Sequence, residues 1–143
     1  MRMLIIDDEE DIVTYLKEAA LAEGVEEVDT VQSGEEALGR VIKGEYDLIT
    51  LDICMPGISG LDIVPVVRNL CPHAVMALIS GHIPAEIDED ILDNIDVLIN
   101  KPVSLDSFFQ LLDATRSIFE ARKRIAALGV PSETDRPKVN AIH

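Results

Sequence analysis

Asp7, Asp8, Asp52, Ser80 and Lys101 are the residues whose types and positions could do chemistry together. Each follows or closes a short apolar run: "MLII" before Asp7-Asp8, "LITL" before Asp52, "VMALI" before Ser80 and "VLIN" before Lys101. A carboxylate at the end of a buried run costs free energy unless water, a cation or a hydrogen-bond donor receives it. Carboxylates brought together repel one another unless a cation intervenes. Oxygen ligands without His or Cys select Mg²⁺ or Mn²⁺ over zinc. Mg²⁺ seldom gives all its waters to protein, so it brings a phosphate-bearing ligand with it. A lysine and a hydroxyl opposite would hold the remaining phosphoryl oxygens. The chemistry this set suggests is phosphoryl transfer with an aspartate as nucleophile.

The elements that must position these residues alternate. Strand-like runs are expected at Met3–Ile6, Val28–Val31, Leu48–Leu51, Ala74–Ile79 and Val97–Ile99. Between them the apolar residues recur at helical spacing. Ile12, Leu16, Ala19 and Ala20 form one such face, and Ala37, Leu38, Val41 and Ile42 a second. A third helix is expected over Leu61–Leu70, where Pro65 would remove a hydrogen bond. That helix either starts late, with Asp62 as its cap, or kinks. A fourth is expected to begin with Pro84 in its first turn, and a fifth with Ser104 as N-cap. Leu105, Phe108, Phe109 and Leu112 of the fifth should cover the sheet. Near-continuous apolar strands separated by helices predict an α/β fold, a parallel sheet covered on both faces. Right-handed crossovers then bring the carboxyl ends of all strands to one rim.

Composition narrows the function classes. The chain has 143 residues, 48% of them hydrophobic, and a formal charge of −15. That charge repels nucleic acid and anionic membranes. No apolar run is long enough to span a bilayer, and "MRMLIIDDEE" does not read as a signal peptide, so the expected location is the cytoplasm. Cys54 and Cys71 have no metal-ligand spacing and are expected to be reduced thiols.

The acidic pair Asp7-Asp8, the "D-x-x-M-P-G" of Asp52 to Gly57, Ser80-Gly81 and Lys101-Pro102 stand in the order of a known family. The chain resembles the receiver domains of two-component response regulators, the chemotaxis-regulator-like superfamily. The resemblance implies a flavodoxin-like, doubly wound, five-stranded parallel sheet of order 2-1-3-4-5. It implies that Asp52 accepts a phosphoryl group from a histidine kinase or phosphotransfer protein. Asp8, Asp52 and the Cys54 backbone carbonyl would bind Mg²⁺ directly, and Asp7 through water. Ser80 and Lys101 would bind phosphoryl oxygens, and the Lys101-Pro102 bond would be cis. Such a chain is a phosphoacceptor that assists its own phosphorylation and dephosphorylation rather than an enzyme. One departure stands out: Leu98 occupies the position where the family usually has an aromatic switch residue. Cys54 and His82 resemble the variable positions that tune dephosphorylation.

The receiver is expected over residues 1–116, a helical extension over 117–128 and a mobile tail over 129–143. Leu111, Ala114, Ile118, Ala121, Ile125 and Leu128 form a heptad-like stripe, which suggests either a homodimer through the last helix or packing against its own domain. A DNA-binding domain does not fit in what remains, so the expected output is protein contact. The alternative function is a Mg²⁺-dependent phosphohydrolase with an aspartyl-phosphate intermediate. Haloacid-dehalogenase-like enzymes need an Asp-x-Asp at the end of the first strand, and "DDEED" does not offer one there.

Overall fold

Five parallel strands build the sheet of the computed structural model, which describes residues 1–129. They are β1 (Arg2–Ile6), β2 (Glu27–Val31), β3 (Leu48–Leu51), β4 (Val75–Ser80) and β5 (Val97–Asn100), in the order β2-β1-β3-β4-β5. Helices α1 (Glu10–Ala22), α2 (Gly34–Lys43), α3 (Gly60–Leu70), α4 (Glu89–Leu92) and α5 (Leu105–Ala126) alternate with them. Apart from Gly129, the expected tail lies outside the described residues. Among the described residues no helix is long and apolar enough to cross a membrane.

Side chains alternate across a strand, so each central strand feeds two cores. Leu4, Ile6, Ile49, Leu51, Met76 and Leu78 pack with Ala37 and Val41 of α2 and with Ile63, Val64 and Val67 of α3. Met3, Ile5, Leu48, Ala77 and Ile79 pack on the other face with Val13, Leu16 and Ala20 of α1 and with Phe108 and Leu112 of α5. The edges are taken by β2, which is half polar, and by β5, none of whose residues is buried. The direction of winding changes between β1 and β3, and a crevice opens beyond their carboxyl ends.

Serine caps start three of the helices. Ser33, Ser59 and Ser104 accept hydrogen bonds from the backbone N–H groups of Glu36, Leu61 and Ser107. Ser59 therefore caps α3, and Asp62 lies in its first turn, not at the cap. The helix runs through Pro65, which sits on the exposed side while Ile63, Val64 and Val67 anchor the buried side. Helix α4 differs more. It begins at Glu89, not at Pro84, and spans 4 residues with none buried. Short helices are marginal without tertiary packing, and α4 offers the core only Ile91, half-buried. Two apolar residues assigned to covered faces are exposed: Ile42 at 70% and Leu105 at 44%. Both lie at the border of their helix stripe, where spacing alone does not define the covered width.

Among the described residues, one buried side-chain polar atom has no partner. Thr50 is 2% exposed, and its Oγ1 lacks a hydrogen bond among the described residues. A desolvated hydroxyl left unpaired costs about 1–3 kcal/mol. Thr50→Val keeps the β-branched shape and removes the hydroxyl. It should stabilise the protein by about 1 kcal/mol in urea denaturation. A loss of stability would show that Thr50 Oγ1 is solvated by buried water.

Candidate functional site

The strand ends bring the acidic and basic groups together through the last bonds of the ladder. Asp52 N–H donates to Ile6 O at 2.9 Å, Asp7 N–H to Val31 O at 3.1 Å and Lys101 N–H to Ser80 O at 3.0 Å. Each of these residues stands one position beyond its strand or the neighbouring strand's pairing. Their side chains therefore project over the rim and not into either core.

After β3 the chain must turn back sharply. Met55 tucks into the core under α2 and α3. Gly57 takes φ +82°, a conformation side-chain-bearing residues rarely adopt. Gly60, the first residue of α3, lies directly on the backbone of Asp52 and Ile53. The "Met-Pro-Gly" that follows Asp52 thus closes the loop that holds it.

Asp7 and Asp52 are each 3% exposed, while Asp8 is exposed. One carboxylate oxygen from each of the three lies within 4.8 Å of the others. Lys101 Nζ sits 2.8 Å from Asp7 Oδ2, 3.3 Å from Asp52 Oδ2 and 3.0 Å from Glu9 Oε1. The other oxygens of the buried pair receive backbone donors. Glu9 N–H reaches Asp7 Oδ1 at 2.9 Å, and Cys54 N–H reaches Asp52 Oδ1 at 3.2 Å. Burial pushes the Asp7 carboxyl above its usual pKa, against the hydrogen bonds from Lys101 and Glu9; the charge of Asp52 adds to the rise. The pKa of Lys101 is also raised. Burial acts to lower it, but the hydrogen bonds to Asp7 and Glu9 and the charges of Asp7 and Asp52 outweigh burial. Lys101 is therefore a permanent cation in this crevice.

The expected residues are placed as follows. Ser80 is fully buried and its Oγ accepts from His82 N–H at 3.3 Å. It lines a cleft of about 400 Å³ together with Asp52, Cys54, His82, Lys101 and Glu9. Cys54 Sγ lies 3.9 Å from the His82 carbonyl, and both cysteines are free thiols. The Lys101-Pro102 bond is cis. Leu98 is half-buried and packs against the core on the α3 side. Glu9 was not among the site residues expected from sequence. An acid before a helix is ordinarily explained by the helix dipole, and only the fold shows that it reaches Lys101.

The donor set fits a hard divalent cation. The three grouped ligands are all carboxylates, the kind of oxygen donor that Mg²⁺ and Mn²⁺ prefer.

A family model for the response regulator receiver domain matches residues 3–113. The transcriptional regulatory protein TcrA of Mycobacterium tuberculosis is 31% identical over 116 residues, 80% of this chain but 45% of that protein. This chain thus spans less than half the length of TcrA. Response regulator protein TrrA from Thermotoga maritima, in complex with Mg(2+)-BeF, is 35% identical with a TM-score of 0.70, covering 80% of this chain and 97% of that one. A further structure of similar likeness shows the histidine kinase ThkA in complex with TrrA. A receiver domain protein from Methanospirillum hungatei has a TM-score of 0.75 at 24% identity, covering 86% of this chain and 97% of that one. At that identity the likeness shows the fold alone. The family match runs through all five strands and the whole acidic cleft, and the chain belongs to the response regulator receiver domains of two-component systems.

Proposed function

We propose that Asp52 accepts a phosphoryl group from the phosphohistidine of a histidine kinase or phosphotransfer protein, in a Mg²⁺-dependent step. The phosphorylated chain then signals by protein contact. The observation that carries this reading is the setting of Asp52: a carboxylate 3% exposed, 3.3 Å from a half-buried lysine, grouped with two further aspartates. The Mg(2+)-BeF complex of TrrA and its complex with a kinase support a cation and a kinase partner here.

Asp8, Asp52 and the Cys54 carbonyl would hold the cation directly, and Asp7 through water. Bound there, Mg²⁺ offsets the carboxylate charge and stabilises the charge on the transferring phosphoryl oxygens; Mn²⁺ suits the same donors. Cys54 N–H on Oδ1 and Lys101 on Oδ2 fix the plane of the Asp52 carboxylate. As its oxygen bonds to phosphorus, the nitrogen–phosphorus bond of the donor breaks and the imidazole leaves with the donor protein. Lys101 and the Ser80 hydroxyl then take phosphoryl oxygens.

Acetyl phosphate with Mg²⁺ should add one phosphoryl group per chain, released by hydroxylamine as an acyl phosphate is. Chelation of the metal should prevent it. Absence of labelling would sink this reading. Release of phosphate over many rapid turnovers would favour the phosphohydrolase instead.

We take residues 1–116 as the receiver and 117–128 as its helical extension. α5 continues unbroken through Ala126. Phe119 packs toward the domain and Arg122 donates to the His73 carbonyl at 2.8 Å. Ile118, Ile125 and Leu128 face outward, 43%, 68% and 88% exposed. A second copy of the chain is the proposed occupant of this stripe, because the residues keep heptad spacing. Ile125→Glu with Leu128→Glu should leave the fold intact and halve the mass seen in sedimentation. Equal masses for parent and variant would remove the dimer.

A further inference from the structure

Lys101 has three carboxylate partners, and only one of them is free to leave. The side chains of Asp7 and Asp52 are 4% and 3% exposed, whereas that of Glu9 is 58% exposed. Asp7 and Asp52 are also held by backbone N–H donors. Glu9 occupies the N-cap position of α1 but makes no side-chain cap hydrogen bond. An acid there ordinarily turns toward the free N–H groups of its own helix. Instead its carboxylate reaches across the cleft to Lys101 Nζ at 3.0 Å. That reach places a negative charge on the wall of the cleft that also holds Asp52, Ser80 and His82.

We propose that Glu9 is a positioning residue that tethers Lys101 and guards the cleft against free anionic phosphodonors. The inference rests on Asp52 being the phosphoacceptor. Its carboxylate occupies the ammonium that an arriving phosphoryl group needs. Its charge adds to that of Asp7, Asp8 and Asp52 against any dianion entering the cleft. When a phosphoryl group reaches Asp52, Lys101 must share itself with the phosphoryl oxygens. Asp7 holds Lys101 from below at 2.8 Å, and Glu9 is the partner that gives way. The tether thus slows loading from small donors, and a docked phosphohistidine protein overcomes it with its own contacts.

The test compares the parent chain with Glu9→Gln at saturating Mg²⁺. Glutamine keeps the length and a hydrogen-bond acceptor but removes the charge, and the exposed position tolerates it. Labelling by acetyl phosphate, a dianion, should be about fivefold faster in Glu9→Gln at low salt, as one unit charge a few ångströms away implies. The gain should be smaller with phosphoramidate, which carries one net negative charge. It should shrink in about 1 M salt, because the group is exposed and screened. A merely structural role for Glu9 would not produce this dependence on donor charge and salt. Equal or slower labelling of Glu9→Gln, or a gain that survives high salt, overturns the inference while Asp52 stands. A parent chain that does not label, or a label that survives Asp52→Asn, overturns the reading beneath it and the inference with it.

Discussion

Asp52→Asn should abolish phosphoryl incorporation while leaving the fold intact. The amide oxygen can still accept from Cys54 N–H, but it lacks the oxygen anion that the proposed reaction uses as nucleophile. Phosphoryl labelling should fall by a factor of at least about 100, the scale on which removing an essential group acts. Stability should move the other way without metal. Asp7 and Asp52 are both 3% exposed and share a single ammonium with Glu9. Removing one of the two buried charges should raise stability at neutral pH by about 1 kcal/mol.

The pH dependence follows from Asp7, whose carboxyl is held above its usual pKa by burial and, in addition, by the charge of Asp52. A raised folded pKa means that the folded state favours the protonated group. Its contribution to stability is fully present below the unfolded pKa and is lost as pH rises through the folded one. In Asp52→Asn part of the cause is gone, so that loss is smaller and complete at lower pH. Mg²⁺ binding to the folded state alone should stabilise the parent by about 1.4 kcal/mol at roughly tenfold excess over Kd. The variant has one carboxylate fewer in the acidic cluster and should show a smaller shift. Thermal melting of both chains across pH, with chelator and with Mg²⁺, checks each point. A metal-free variant that melts below the parent would refute the repulsion between Asp7 and Asp52.

Gly60→Ala should be among the most destabilising single-atom additions in the chain. A Cβ at this position would overlap the Asp52 carbonyl oxygen and approach Ile53 Cα to 2.9 Å. All of these neighbours are backbone, so a rotamer change cannot relieve the clash. The N–H of Gly60 also donates to Ile53 O at 3.1 Å, which ties α3 to the same loop. Overpacking against fixed atoms costs about 3 kcal/mol or more. For a domain of this size the melting temperature should drop by about 10 °C. Because the displaced atoms belong to Asp52, labelling should fall as well. Gly39→Ala provides the contrast: a Cβ there meets nothing within 4 Å inside α2, and helix propensity favours alanine by about 1 kcal/mol. Denaturant titration of the two variants should therefore give changes of opposite sign. Equal stability of Gly60→Ala and the parent would mean that the loop after β3 yields freely.

Local patterns in the amino-acid sequence specify the strands, their parallel pairing and the rim on which chemistry gathers. Those features depend on local signals that repeat: an apolar run, a helical period, then a polar residue at the next strand end. Because right-handed crossovers point all strands one way, the polar residues at four strand ends were enough to place Asp7, Asp8, Asp52, Ser80 and Lys101 on one rim. Tertiary structure decided what local signals leave open. Whether Pro65 breaks α3 depends on how firmly Ile63, Val64 and Val67 are buried, and they hold the helix through it. Whether a helix starts at Pro84 depends on what it can bury, and α4, with none of its residues buried, starts only at Glu89. Ile42 and Leu105 share their helix stripes yet remain exposed, because the width of the covered face is set by the neighbouring element. Glu9 looks like any acid before a helix, and its bond to Lys101 joins residues 92 positions apart. Such a contact is settled by the distance between β1 and β5 ends in the folded sheet, which no local pattern encodes.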